Sequence, residues 1–288
     1  MLRYLMTKAE QGCGRDIGRL GKFAGERIYD LVRVEGRQYL ETADAVLEAG
    51  GSLLLIGNHP DLLTTIYSYG IVMDLDHRNP DQTVLLASSK YFDGRLGIWG
   101  DLAMNVAATS DIEALKIIQF YEQDKETEKA EANGKAAMRA MAALKSPGGI
   151  VWVYPEGTRS KERMIEAQPG IASLVSQADL VVSVVSPYSR RPFPKIKVLP
   201  LVNGKFLMRQ LSAQFGRAAA KETIIDVLMT GIALNLPPDN RGAYTLFAGV
   251  IEGWVKADDE QTQNLISAWK WLEISQQYLN SSDYLSEY

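Results

Sequence analysis

The chain has 288 residues, 46% of them hydrophobic and 23% charged, a globular composition with apolar material for one large core or two smaller ones. The formal net charge is −4 and no long basic run appears, which argues against a nucleic-acid partner. A single cysteine, Cys13, excludes an internal disulfide, and no window approaches the ~18 consecutive apolar residues of a membrane span.

The start, MLRYLMTKAEQG, lacks a secretory apolar core, so a cytoplasmic protein is expected, with any membrane contact peripheral. Residues 1–29 read as helical from their spaced leucines and isoleucines. The glycines of GCGRDIG have neither the spacing nor the preceding strand of a dinucleotide loop. LVRVEG (31–36) reads as a short strand, and TADAVLEAGG (42–51) as a helix whose glycines suit a C-terminal cap. SLLLIG (52–57) is a buried strand, LLTTIYSYGIVM (62–73) a helix and QTVLLASS (82–89) a second buried strand. MNVAAT (104–109) reads as a short strand and DIEALKIIQFYEQ (111–123) as a helix. The charge run KETEKAEA (125–132) is solvated helix or loop, and Asn133-Gly134 is expected to break it before KAAMRAMAALK (135–145). Next come a strand at GGIVWVY (148–154), a helix at IASLVSQA (171–178), and strands at LVVSVVS (180–186) and KIKVLPLV (195–202). From about 206 the chain reads as helical, with a loop at LPPDNRG (236–242) and an amphipathic helix at ISAWKWLEISQQYL (266–279). The pattern predicts an α/β fold, a mixed and largely covered sheet flanked by helices. A helical segment over 1–30 precedes an α/β domain over 31–235, and a helical segment over 236–288 packs on that domain.

Two stretches carry chemistry. In GNHPDLLTTIY (57–67), His59 falls between a strand and a helix, at the strand end where open α/β sheets collect ligands. This predicts a partly exposed imidazole at a crevice, with Pro60 in the first helical turn and Asn58 bonding the turn backbone. A neutral imidazole there could accept a proton from a hydroxyl; it could equally cap the turn. A metal is not expected, because His59 and Asp61 have no third ligand nearby and His77 lies in the polar loop DLDHRNPDQ. In VYPEGTRSKERM (153–164), Pro155 ends a strand and Gly157 frees a tight turn. Glu156 and Arg159 then share the crevice edge, with Thr158 and Ser160 adding hydroxyls. Arg159 offers a planar fork suited to phosphate, while an ion pair between Glu156 and Arg159 is the competing reading.

Together these stretches resemble the glycerolipid acyltransferase family, which carries an Asn-His-x4-Asp block and a Phe-Pro-Glu-Gly-Thr-Arg-Ser block. The second block is complete here but for Tyr154 in place of Phe. VRVEGRQYLETADAVLEAGGSLLLIGNH, KYFDGRLGIWG with Lys90, QPGIASLV and VLPLV extend the resemblance over roughly 31–205. It implies a glycerol-3-phosphate acyltransferase-like fold and acyl transfer from acyl-CoA or acyl carrier protein to a lipid or polyol hydroxyl, with no cofactor. It further implies His59 as general base and an acceptor site drawn from Asn58, Thr64, Lys90, Glu156, Gly157, Thr158, Arg159 and Ser160. A membrane surface is an implied partner.

Two positions depart from the family pattern. Thr64 stands where the family has the aspartate that orients the histidine, and Asp61 is the nearest substitute. Asp61 either folds back to His59 Nδ1 or only starts the helix. Thr109 or Ser110 stands where the family has an arginine after its second-block strand, and Arg190, Arg191 and Lys195 are candidate replacements. A non-catalytic protein that binds acyl chains or head groups, and a hydrolase using His59 on water, are the other readings.

Overall fold

The structure, a computed structural model, describes residues 32–93, 98–118, 126–188 and 195–279. The expected N-terminal helix, Cys13, Arg190 and Arg191 lie outside the described residues. Seven strands form one sheet: β1 (Arg33–Glu35), β2 (Leu53–Gly57), β3 (Thr83–Ser88), β4 (Glu113–Ile117), β5 (Ile150–Val153), β6 (Leu180–Val185) and β7 (Lys195–Val198). Their spatial order is β1-β7-β6-β2-β5-β3-β4, parallel throughout except between β6 and β7. The mixed, covered sheet read from the sequence is therefore present.

Helices cover both faces, which is why the central strands are buried at every position and apolar at nearly all of them, Ser183 of β6 being the polar exception. On one face Leu53, Leu55 and Trp152 pack with α1 (Arg37–Glu48) and α2 (Leu62–Met73). On the other, Leu54, Ile56, Val151 and Val153 share a core with α4 (Glu126–Leu144) and α5 (Ile171–Val175). The C-terminal helices α6 (Gly204–Phe215), α7 (Arg217–Leu234), α8 (Thr245–Ile251) and α9 (Glu260–Leu279) add to that same core through Leu207, Ile224, Phe247 and Leu265. Among the described residues no helix is long and apolar enough to cross a membrane.

Three local readings are corrected. Residues 104–109 are not a strand but the end of α3 (Ile98–Thr109), and residues 113–117 of the expected helix form strand β4. The reason is physical: MNVAAT is a short apolar run that fits either period, and Ile112, Leu115 and Ile118 fall at helix-like spacing by accident. Asn133-Gly134 does not break α4 either. The Asn133 amide reaches across to β4's end, accepting from Ile118 N–H at 2.8 Å and donating to Ile118 C=O at 2.9 Å. That double bond pins the helix to the edge strand and outweighs the propensity penalty of a following glycine.

His77 is not simply solvated. Its Nδ1 lies 2.8 Å from Asp44 Oδ2 and its backbone N–H donates to Asp44 Oδ1 at 2.9 Å, tying the loop after α2 to α1. The Asp44 hydrogen bond, with Glu48 and Asp76 nearby, raises its pKa above the ordinary 6.5. Because the folded value lies above the unfolded one, the stabilisation is complete below about pH 6.5 and is lost as pH rises through the folded value. Melting temperature against pH should show a small extra stability on the acid side that His77→Ala removes. The pair is exposed, so the effect is modest.

Candidate active site

β2 and β5 are neighbours in register, with Ile56 opposite Val153. From β2 the chain leaves through α2 toward β3, on one side; from β5 it leaves through α5 toward β6, on the other. The gap between the two strand ends is thus the topological switch point of the sheet, where α/β folds place their ligands. His59 and the 154–160 segment sit there.

The two segments are tied together backbone to side chain. His59 N–H donates to Glu156 Oε1 at 2.9 Å, across 97 residues of chain, and Ser160 N–H donates to His59 C=O at 2.9 Å. Glu156 Oε2 accepts from Ser160 Oγ at 2.7 Å and from Ile165 N–H at 3.0 Å. Glu156 is buried, and burial raises its pKa against the lowering by the Ile165, Ser160 and His59 bonds. The Glu156–Arg159 ion pair is not formed. Glu156 turns inward to organise the loop, while Arg159 stays exposed and its guanidinium has no ion-pair partner among the described residues. Gly157 has φ of +68°, and a Cβ there would approach Gln168 Cγ to 3.2 Å, so the turn needs glycine. Thr158 is half-buried beside it, and Ser160 Oγ also meets Tyr188 OH at 2.9 Å.

Asn58 does not bond its own turn. Its amide closes a two-bond clamp with Ser186 at the end of β6, donating to Ser186 C=O at 2.7 Å and accepting from its N–H at 2.8 Å. Gly57 allows this approach, since a Cβ would lie 2.8 Å from Val184 O. Pro60 precedes the helix rather than entering its first turn, because Asp61 is the N-cap.

His59 itself is more enclosed than its position in the sequence suggests, with only 7% of its surface exposed. The ring of Tyr154 covers it, and Nδ1 is buried without a hydrogen-bond partner among the described residues. Burial, and then the Arg159 cation, lower its pKa to about 3, so the imidazole is neutral at ordinary pH. Asp61 does not fold back onto Nδ1. Its Oδ1 accepts from Thr64 N–H at 3.0 Å and from Thr64 Oγ1 at 3.1 Å, the bonds of a helix cap. Thr64 is buried and committed to that cap.

Lys90 lies in the short turn after β3, half-buried, on the same edge of the sheet. Tyr91 follows it and lies within the field of Arg159. Thr109 and Ser110 are not at this edge. They precede β4, so they lie at its amino end, where Ser110 Oγ meets Tyr69 OH at 2.8 Å and Ser110 C=O accepts from Arg78. The comparison of these two residues with a family arginine therefore fails, because it rested on reading 104–109 as the strand. Lys195 pairs with Glu35 at 2.6 Å on the edge formed by β1 and β7.

Fold and site together define an α/β protein with a histidine, a buried carboxylate and an exposed guanidinium at the carboxyl edge of its sheet. The model of the Acyltransferase family matches residues 31–202, and the chain belongs to that family. No curated protein matches the chain.

Proposed function

We propose that the protein moves a fatty acyl group from an acyl thioester, acyl-CoA or acyl carrier protein, to a hydroxyl of a glycerolipid-type or polyol acceptor, with His59 as general base. The observation that carries this is the double tie between His59 and the 156–160 loop, which holds a neutral imidazole within the field of Arg159, a guanidinium with no ion-pair partner among the described residues. In this reading Nε2 takes the acceptor O–H proton as the oxygen attacks the thioester carbonyl. A C–O bond forms, the tetrahedral intermediate collapses with loss of the C–S bond, and the departing thiolate takes the proton from the imidazolium. Arg159 holds an anionic group of the acceptor. The thioester is itself activated, so the chemistry needs no resident cofactor. A lipid acceptor would bring the protein to a membrane surface, as a peripheral partner.

The test is acceptor-dependent thiol release from acyl-CoA and from acyl carrier protein, with glycerol 3-phosphate, a lysophosphatidic acid and an uncharged monoacylglycerol. Release above the hydrolysis blank with at least one acceptor is expected, and Arg159→Gln should erase any preference for the anionic ones. Binding of acyl chains without release on any of them would sink the enzyme reading. One observation favours that second reading, a lipid-binding protein of impaired catalysis: Nδ1 has no acceptor among the described residues to fix its tautomer.

The same observation gives a gain-of-function prediction. In the double variant Asp61→Asn/Thr64→Asp the carboxylate moves to the position where the resemblance places it. Turnover should rise roughly tenfold or more, since losing such an orienting carboxylate costs about 10⁴ in a serine protease. A steady-state kcat at saturating acceptor reads it directly.

A further inference from the structure

The imidazole of His59 lies nearly flat on the phenol ring of Tyr154, with centroids 4.0 Å apart and 10° between planes. Tyr154 follows β5 directly and meets Trp152 edge-on at 5.8 Å. Its hydroxyl donates to Ser68 Oγ on α2 at 3.1 Å, so the phenol is anchored on the helix that begins just after His59. Tyr154 as a whole is only 8% exposed.

His59 has no such anchor of its own. Its backbone is held at both ends, but its side chain makes no hydrogen bond among the described residues, and Nδ1 is enclosed without one. The charged groups around it do not grip the ring. Glu156 meets the His59 backbone, Asp61 caps α2, and Arg159 acts on the imidazole as a cation. An imidazole in that state is free to turn about its second side-chain torsion unless something flat confines it.

We infer that Tyr154 is the positioning residue for His59: the stacked phenol fixes the plane of the imidazole, and the Ser68 bond fixes the phenol. Surface contact then does the orienting that a carboxylate on Nδ1 would otherwise do. A stacked aromatic pair biases orientation by roughly two- to tenfold beyond simple burial, the right scale for this task. The hydroxyl that replaces the family's phenylalanine edge supplies the anchor. The effect on rate rests on His59 being the base; the effect on the ring does not.

The test combines NMR of protein labelled in its histidine rings with kinetics. The chain has two histidines, so exposed His77 serves as the internal reference. In wild type the His59 ring is expected to give one sharp set of signals that does not titrate between pH 5 and 8. Tyr154→Leu should broaden or average those signals and move the titration up toward that of free imidazole. It should lower kcat about tenfold with KM within twofold. Tyr154→Phe and Ser68→Ala keep the stack and lose the anchor. Both should fold, retain most of kcat and show intermediate ring signals, so they decide the matter if the leucine variant is unfolded. His59 signals identical to wild type in every variant that folds would overturn the inference. If wild type transfers no acyl group to any acceptor, the acyltransferase reading falls, and the ring signals alone judge Tyr154.

Discussion

Replacing His59 by alanine is expected to lower acceptor-dependent thiol release by about 10²–10⁴-fold, the usual worth of a positioned general base. The fold should survive, because both bonds that tie this position to the 156–160 loop are made by its backbone. The same variant should change the acid limb of stability. The folded imidazole does not take a proton until about pH 3, whereas an unfolded one does so near 6.5. Stability is therefore full above pH 6.5 and falls as pH drops toward 3, because the unfolded state binds the proton first. At ~1.36 kcal/mol per unit the full loss is on the order of 5 kcal/mol. Urea midpoints between pH 7 and 4 should fall steeply in wild type and less steeply in His59→Ala. Parallel curves would mean that the imidazole is hydrated in the folded protein.

Glu156→Ala should be the most damaging single change to stability at the site. It leaves the N–H groups of His59 and Ile165 and the Ser160 hydroxyl without their acceptor. Buried orphaned donors cost about 1–3 kcal/mol each, so a loss of roughly 3 kcal/mol or more is expected against a typical total of 5–15. Glu156→Gln should also lose stability, though less. One amide oxygen can serve His59, but the amide NH₂ then faces the Ile165 N–H, donor against donor. Chemical denaturation of the two variants at neutral pH gives the ranking. If both unfold like wild type, the carboxylate is not organising this loop.

Much of the fold was readable because burial on two faces writes itself as unbroken apolar runs. SLLLI, IVWV and LVVSVV could be strands and little else, bounded as they are by glycine, proline and polar residues. The edge of the sheet was less readable. β4 is half-exposed, carries Glu113 on one face and Lys116 on the other, and so lost the alternation that marks a strand. α3 failed in the opposite sense, being short of polar residues at helical spacing. At the site, the two motif loops were legible and their meeting was foreseeable from strand ends. The contacts that tune them were not. Nothing local in YPEG announces that the phenol will stack on a histidine 95 positions earlier, or that Glu156 will turn away from Arg159. Asp61 was legible as a helix start, since Asp at that offset before an apolar helix is an ordinary cap signal. The clamp between Asn58 and Ser186 depends on β6 lying beside β2, which is a fact of topology, with no trace in either segment alone.

The segment that carries the guanidinium also grips the main chain of the histidine, through Glu156 on one side and Ser160 on the other. In the proposed reaction, selectivity and speed are therefore mechanically geared to each other. Variation at 157–159 that reshapes this segment will drag His59 with it, so libraries built there should yield altered preference and altered turnover as one inherited trait. Changes in α9, which packs on α6, α7 and α8, are where the two could be adjusted independently.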